Sequence, residues 1–224
     1  MRSDTPALAV NGLTKRYGRL EALAGLDLEL RPGECVALTG PNGCGKTTAL
    51  STIAGLLTPT AGSVRVGGHP MHEEPAAIEA RRRLAFVPDQ PLLYEDLTVA
   101  NHLRLVAQAH GAPGDVEDEI GELLGRLELA HRADFLPHEL SRGMRQKAQL
   151  ACALVRPFEV LLLDEPVAGL DVAAVDTLAA IIAEARARGA AVLVSTHQPP
   201  FAARVADRVL ALLDGRVAAG GALG

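Results

Sequence analysis

A glycine-rich segment between two apolar runs constrains the fold more than any other part of this sequence. It reads GPNGCGKT and occupies residues 40–47. The preceding run CVALT, residues 35–39, is almost continuously apolar and predicts a strand buried on both faces. From Lys46 onward the pattern is helical. A strand, a glycine-rich loop and a helix in this order predict a P-loop, whose backbone amides cradle phosphate oxygens at a helix N-terminus.

The side chains of the predicted P-loop suggest separate roles. We expect Lys46 to meet the β and γ phosphates of a nucleotide as a compact point charge, which explains a lysine in a chain that otherwise prefers arginine. Thr47 is expected to offer its hydroxyl to Mg²⁺. Cys44 is expected to contribute only its backbone. The nucleotide-binding residues predicted in this segment are Gly40, Pro41, Asn42, Gly43, Cys44, Gly45, Lys46, Thr47 and Thr48.

A second motif supplies the acids that such a loop requires. The segment VLLLDEP, residues 160–166, is an apolar strand pattern that ends in two carboxylates. Asp164 is predicted to hold Mg²⁺, and Glu165 is predicted to polarise the attacking water. The pairing of this motif with a P-loop predicts hydrolysis of a nucleoside triphosphate.

The order of strand and helix patterns predicts the domain organisation. Strand signals fill the first third, a helical block follows, and strand–helix alternation returns near the C-terminus. We therefore expect an α/β fold: a P-loop NTPase core with a mixed, mostly parallel sheet, N-terminal antiparallel strands and an inserted α-helical subdomain. In residue ranges, 1–224 is one domain, with 1–94 and 156–224 as the core and 95–155 as the helical subdomain.

Local signals predict further features inside these ranges. Thr98, Asp115 and Ser141 are predicted to be the N-terminal caps of helices in the helical block. Asp214 and Gly215 predict a hairpin turn near the C-terminus.

Composition excludes several classes of function. The net charge of -5 is not strongly segregated along the chain, so no nucleic-acid partner is expected. No apolar run approaches the roughly 18 residues that cross a bilayer. We therefore expect a cytoplasmic protein that reaches a membrane through a partner. Cys35, Cys44 and Cys152 are predicted to be buried thiols in a reducing compartment.

The helical block contains a second predicted anion site. In ELSRGMRQKAQLACAL, residues 139–154, Ser141 and Gly143 stand at the start of a helix and offer a hydroxyl and an amide to an anion. One chain cannot wrap one nucleotide with two helix N-termini that face each other. We therefore predict that Ser141 and Gly143 cap the γ-phosphate of a nucleotide bound by another copy.

These motifs together resemble the nucleotide-binding domain of an ABC transporter, over essentially the whole chain. LSRGM, residues 140–144, is similar to the family signature Leu-Ser-Gly-Gly-Gln, with Arg142 in place of the first Gly and Met144 in place of the Gln. The serine and the second glycine are unchanged.

The resemblance implies roles for residues outside these motifs. Tyr17 in KRYG matches the aromatic residue that stacks on adenine. Asp171 in AGLD matches the loop that crosses the dimer interface. His197 in STHQ matches the switch histidine that contacts the γ-phosphate.

One position departs from the family pattern at the metal site. The family places a glutamine after the strand that ends in VP, where it touches the metal site and the membrane partner. Here the sequence is FVPDQP, so Asp89 takes that register and Gln90 follows it. Either side chain would serve, and we favour Gln90 as the metal-site residue.

The resemblance implies an Mg²⁺-dependent ATPase subunit of a membrane ABC transporter, with export favoured. Its expected partners are a second copy or a homologous ATP-binding subunit, and integral-membrane subunits at the inner face of the cell membrane. The segment PLLYEDLTVANHL, residues 91–103, is expected to receive a short helix of the membrane partner. The alternative is a soluble ABC-type ATPase of repair, translation or cluster assembly. Sustained heptads and a second domain, which repair and translation types carry, are absent from the sequence.

Overall fold

The structure, a computed structural model, describes residues 5–112 and 116–218. In chain order the strands are β1 Leu8–Tyr17, β2 Leu20–Leu30, β3 Cys35–Thr39, β4 Ala61–Val66, β5 His69–Pro70, β6 Leu84–Val87, β7 Val160–Asp164, β8 Ala191–Thr196, β9 Arg208–Leu213 and β10 Arg216–Val217. The α-helices are α1 Lys46–Ile53, α2 Ala77–Arg82, α3 Val99–His110, α4 Val116–Arg126, α5 Arg142–Leu154, α6 Val172–Ala187 and α7 Pro199–Val205.

These strands form two separate sheets, where the sequence pattern had predicted one mixed sheet. A six-stranded sheet has the order β10-β9-β3-β8-β7-β6 and is parallel except at its β9–β10 edge. A four-stranded antiparallel sheet has the order β2-β1-β4-β5. The predicted α/β class with N-terminal antiparallel strands is confirmed.

The apolar strands of the central sheet are buried on both faces because two separate layers cover them. Along β3, Val36 and Leu38 pack into one cluster with the antiparallel sheet and α1. Cys35 and Ala37 point the other way, into a cluster with the helical segments. Alternate side chains of a strand point to opposite faces, which is why a continuous apolar run is needed here. All three cysteines are buried and unbonded to each other, as expected.

The segment between β6 and β7 is helical, and its helices pack against one another. Helices α3, α4 and α5 make mutual contacts and share the cluster on one face of the central sheet. Thr98 and Ser141 cap α3 and α5 by accepting hydrogen bonds from the backbone, as the sequence predicted. Asp115, the third predicted cap, lies outside the described residues. No helix in the described ranges is long and apolar enough to cross a membrane.

The C-terminal hairpin turns at Asp214 and Gly215, as predicted, and it reaches the glycine-rich loop. The backbone amide of Gly215 donates to the carbonyl of Cys44 over 3.0 Å, and that of Ala24 donates to the carbonyl of Gly215 over 2.9 Å. The hairpin therefore joins the loop to β2 and holds it from the side.

Candidate nucleotide site

The glycine-rich loop is enclosed by its own chain. Gly45 caps α1 with a left-handed φ of 109°. A Cβ added at Gly45 would overlap the carbonyl of Ala22, and one added at Gly40 would overlap the carbonyl of Leu212. Only glycine fits at these two positions, because the loop runs so close to β2 and β9. The loop is therefore a preformed turn at the N-terminus of a helix, which is the geometry that binds phosphate.

Lys46 is folded back into this loop. Its side chain is 6% exposed, and Nζ donates to the carbonyls of Gly40 at 2.8 Å and Pro41 at 3.2 Å. The same Nζ lies 3.5 Å from Oε1 of Glu165. A buried ammonium with a carboxylate beside it is poised to exchange these partners for phosphate oxygens.

Asp164 ends β7 at full burial, next to Ser195 on the adjacent parallel strand β8. The Ser195 hydroxyl donates to Oδ1 of Asp164 over 2.5 Å. Burial raises the pKa of Asp164, and hydrogen bonds from the hydroxyls of Ser195 and Thr47 oppose that rise. The negative charges of Asp89 and Glu165 push the pKa of Asp164 further upward. Thr47 and Asp164, both predicted as metal-site residues, are thus neighbours in the fold.

Glu165 follows Asp164 in an unusual backbone conformation. Its φ is 46°, in the left-handed region that few non-glycine residues adopt. Its amide donates to both the carbonyl and the hydroxyl of Ser195, at 3.1 and 3.0 Å. Its Oε2 accepts from the backbone amide of His197 at 3.2 Å and lies 2.8 Å from the Nδ1 of that residue. The fold therefore brings together Lys46, Glu165 and His197, the three residues predicted as catalytic.

The donors around Asp164 fit a magnesium ion. Among the described residues, Oδ2 of Asp164 is buried without a hydrogen-bond partner, and the Thr47 hydroxyl is beside the same carboxylate. No group of three or more His, Cys, Asp or Glu side chains in the described ranges is placed to hold a metal by itself. Magnesium suits such a site because it usually takes one or two protein oxygens and completes its shell with phosphate and water.

The signature segment lies at the exposed N-terminus of α5. The Ser141 hydroxyl accepts from the amide of Met144 over 3.2 Å and remains exposed. A Cβ added at Gly143 would lie 3.0 Å from the carbonyl of Gly169. The AGLD loop therefore packs closely against the signature segment of its own chain. Asp171 of that loop caps α6, with Oδ1 accepting from the amide of Ala174 at 2.8 Å.

The remaining predicted residues are partly or fully exposed. Tyr17 ends β1 with its ring half exposed and with Nζ of Lys15 5.2 Å from the ring centroid. It stands at the tip of the β1–β2 hairpin, whose return strand touches the loop at Gly45. After β6, Asp89 is partly buried and Gln90 is exposed.

Sequence reasoning missed Ser195, although it bonds both acids of the site. The signal was available in principle. The runs VLLLD and AVLVST both read as buried strands, and neighbouring parallel strands in register place Ser195 opposite Asp164. The sequence pattern alone does not show which strands are neighbours in the sheet.

Comparison with known proteins identifies the family. A family model described as ABC transporter matches residues 23–168. The chain belongs to the ABC transporter family. This is a family of ATPases, and the chain is one of its ATP-binding subunits, so the predicted family and fold are confirmed.

The ATP-binding subunit is similar along nearly its whole length to characterised relatives. It is 36% identical to the ABC-type transporter ATP-binding protein EcsA of Bacillus subtilis (strain 168), over 96% of this chain and 87% of that protein. It is 35% identical to the SkfA peptide export ATP-binding protein SkfE of the same organism, over 94% of this chain and 87% of that protein. Its fold matches a solved dimeric bacterial ABC transporter cassette, MJ0796, with a TM-score of 0.84, 29% identity and coverage of 94% and 96% of the two chains.

Proposed function

We propose that this subunit hydrolyses Mg²⁺–ATP in a composite site between two copies, and thereby drives export through separate integral-membrane subunits. The observation that carries the proposal is the division of the site. Lys46, Asp164 and Glu165 gather at the glycine-rich loop. Within the described part of the chain, the polar contacts of Ser141 and Arg142 are made inside the first turn of α5 and with Asp89, not with that loop. The solved dimer of a similar cassette supports pairing of two copies.

Lys46 binds and orients the phosphates in the proposed mechanism. Phosphate oxygens replace the carbonyls of Gly40 and Pro41 as acceptors for Nζ. The positive charge of Nζ is then shared with the phosphates, and its attraction to Oε1 of Glu165 weakens. That oxygen, which has no hydrogen-bond partner among the described residues, becomes available to a water molecule.

Thr47 and Asp164 hold the metal in this proposal. Magnesium, when bound, neutralises charge that develops on the phosphates. Ser195 keeps the Asp164 carboxylate oriented through Oδ1, so that Oδ2 would be left free to bind the metal. Such outer partners of a metal ligand fix its orientation.

Glu165 acts as the general base, and His197 holds it. The water oxygen bonds to the γ-phosphorus while Oε1 of Glu165 takes up its proton, and the bond from that phosphorus to the oxygen bridging to the β-phosphate breaks, so that ADP leaves. Oε2 stays bonded to the amide and Nδ1 of His197, which fixes the carboxylate plane. The signature segment of the second copy, with the Ser141 hydroxyl and the Gly143 amide, contributes donors to the γ-phosphate from the opposite side.

The membrane subunit is proposed to dock on residues 91–103. The side chains of Leu92 and Tyr94 are 71% and 68% exposed. Their backbone amides are held in place, since Leu92 N donates to Oε1 of Gln149 and Tyr94 N donates to Nε2 of His102. A fixed backbone that presents exposed apolar side chains suits the apolar face of a short helix. Export is proposed because a relative of similar length, SkfE, bears a peptide-export name.

A mixing experiment tests the composite site. Lys46→Ala is expected to abolish ATP binding, because the charge of Nζ meets phosphate at every stage. Ser141→Asp keeps an acceptor that caps α5 but places a carboxylate at the phosphate of the partner copy, so it should abolish hydrolysis and spare ATP binding by single chains. In a dimer of one Lys46→Ala copy and one Ser141→Asp copy, one composite site contains both substitutions and the other contains neither. Equal mixing should therefore restore about a quarter of wild-type activity, rising with protein concentration.

Two outcomes would contradict the composite site. The first is no recovery at any mixing ratio while mixed dimers are shown to form. The second is full loss of ATP binding in Ser141→Asp, which would place this segment at the nucleotide of its own chain. Ser141→Asp is a cleaner test than Gly143→Asp, because a side chain at 143 would press on the carbonyl of Gly169.

The membrane role has its own test. The tagged subunit, recovered from native membranes, should bring an integral-membrane protein with it, and Leu92→Glu should reduce that recovery without changing basal ATPase activity. Recovery of no integral-membrane protein with wild type would favour the soluble alternative.

A further inference from the structure

Asp89 emerges from the sheet directly beside the metal-binding acid. Strands β6 and β7 run parallel, and Val87 pairs with Leu163. The chain therefore leaves β6 at Pro88 next to Asp164 and places Asp89 at the same edge. The Pro88 carbonyl accepts from Nε2 of Gln146 on α5, at 3.4 Å, which ties this turn to the helical segment. The Asp89 side chain is 35% exposed.

The edge around Asp89 carries an excess of negative charge. Asp89 and Glu165 both act on Asp164 through their charges and push its pKa in the same upward direction. Oδ2 of the fully buried Asp164 has no hydrogen-bond partner within the described ranges. Glu165 has Lys46 and His197 as partners. The other carboxylates therefore need a cation from elsewhere.

The guanidinium group of Arg142, in the signature segment, is the positive charge nearest to Asp89 in the ion pair that the structure shows. Its Nη2 lies 3.9 Å from Oδ1 of Asp89, and its side chain is 65% exposed. Arg142 is the first residue of α5, next to the Ser141 cap. Asp89 and Arg142 are both departures from the family pattern described above, since an acid replaces a neutral amide and a base replaces a glycine. In the fold these two departures meet as an ion pair.

We propose that Arg142 is the counter-ion of Asp89 in the nucleotide-free chain and competes for its carboxylate with the catalytic cation, which Asp89 rather than Gln90 would face. This inference rests on the proposed ATPase site. Because the metal and Arg142 compete for one carboxylate, metal binding weakens the Asp89–Arg142 pair and frees the N-terminus of α5. By reciprocity, the pair weakens metal binding by the same factor. The metal site of one copy is thereby coupled to the segment that serves the other copy.

The test measures the contribution of the metal to nucleotide affinity. The probe is the non-hydrolysable β,γ-imido analogue of ATP, titrated calorimetrically into the full-length protein, once with Mg²⁺ and once with EDTA. Protein concentrations are kept where light scattering shows single chains. The Kd measured in EDTA divided by the Kd measured with Mg²⁺ gives the contribution of the metal to nucleotide affinity. No activity is measured.

Asp89→Asn should weaken the affinity measured with Mg²⁺ by roughly 10- to 100-fold, the usual cost of losing an outer partner of a metal site. The affinity measured in EDTA should not fall, because removing a negative charge does not harm the binding of phosphate. Arg142→Gln should tighten the Mg²⁺-dependent binding by up to about fivefold, the range of an exposed ion pair. In the Asp89→Asn background Arg142→Gln should have no effect. Asp96→Asn, the same substitution at an exposed acid of this segment, is the control for charge alone.

Each failure has a separate meaning. If Gln90→Ala lowers the ratio and Asp89→Asn does not, the assignment of Asp89 is overturned. If Arg142→Gln changes the Mg²⁺-dependent affinity equally in the wild-type and Asp89→Asn backgrounds, the proposed competition between Arg142 and the metal for Asp89 is overturned. Asp164→Asn is the reference for the proposed function itself. If it leaves the ratio unchanged, the metal site has been misplaced. If it collapses the ratio while Asp89→Asn does not, only the present inference fails.

Discussion

The N-termini of α1 and α5 carry the same kind of backbone amides but differ in how the chain surrounds them. At α1 the preceding loop is pressed between β2 and β9, and Lys46 is buried among the carbonyls of its own loop. At α5 the capping residue Ser141 and the next residue Arg142 are exposed. Each helix end offers a partial positive charge. Of these two helix ends, only that of α1 follows a closed turn that contains a buried ammonium group, that of Lys46.

The difference supports the proposal of two kinds of anion site in one chain. In that proposal the α1 site is complete within a single copy, since the loop, the lysine and the acids all come from one chain. In the same proposal the exposed N-terminus of α5 supplies donors to a phosphate held by another copy. Loss of Lys46 or Tyr17 at the first should therefore weaken ATP binding by single chains, whereas a carboxylate at Ser141 in the second should block hydrolysis only in assembled copies. The following predictions test that division.

The largest effect is expected at Glu165. Glu165→Gln should lower ATP turnover about 10²- to 10⁴-fold, because it removes the general base and leaves the phosphate loop intact. ATP affinity of single chains should be kept. Steady-state hydrolysis and equilibrium binding measure the two effects. Glu159→Gln, at the opposite end of β7 and paired with Arg83, is the matched control and should be nearly silent. Turnover within a few-fold of wild type would assign activation of water to another group, such as His197.

A smaller effect is expected at Tyr17, at the tip of the β1–β2 hairpin. Tyr17→Ala should weaken ATP binding by about 1–3 kcal/mol, roughly 5- to 150-fold in Kd, the scale of one base–aromatic stack. Tyr17→Phe should be almost unchanged, because stacking needs the ring and not the hydroxyl. Titration of single chains is sufficient for the measurement. Equal losses in the Phe and Ala variants would reject stacking as the explanation.

The smallest effect is expected at the cap of α5, and it concerns stability. Ser141→Ala should lower the free energy of unfolding by about 1 kcal/mol, because the amide of Met144 loses its acceptor. Ser141→Asp should be close to wild type, since Asp is a good cap. Urea unfolding midpoints compare the two. Equal stability of all three proteins would show that the cap contributes nothing, and the loss of hydrolysis in Ser141→Asp would still stand as a separate test.

The elements were predictable where one local pattern decided them. The buried runs at β3 and β7 and the Asp214–Gly215 hairpin followed from residues next to one another in sequence. The cap of α5 followed from Ser141 alone.

The site was predictable as a set of residues but not as a set of contacts. The bond from Ser195 to Asp164 depends on which strands are neighbours, and the pair Asp89–Arg142 depends on how the helical segment sits against the sheet. The left-handed backbone of Glu165 also had no signal in the sequence, because side chains of this type rarely adopt it. The functional roles of these residues stay predictions until the variants are measured.

The two tyrosines of this chain give it a built-in pair of optical reporters. The sequence contains no tryptophan and only Tyr17 and Tyr94, so near-ultraviolet emission comes from these two rings. Tyr17 lies half exposed and is proposed to stack on the nucleotide, and Tyr94 projects from the segment proposed to meet the membrane subunit. Tyr94→Phe leaves a protein whose emission reports the nucleotide edge alone, and Tyr17→Phe leaves one that reports the docking segment. Occupancy of the two surfaces is therefore separable by spectroscopy without any attached dye.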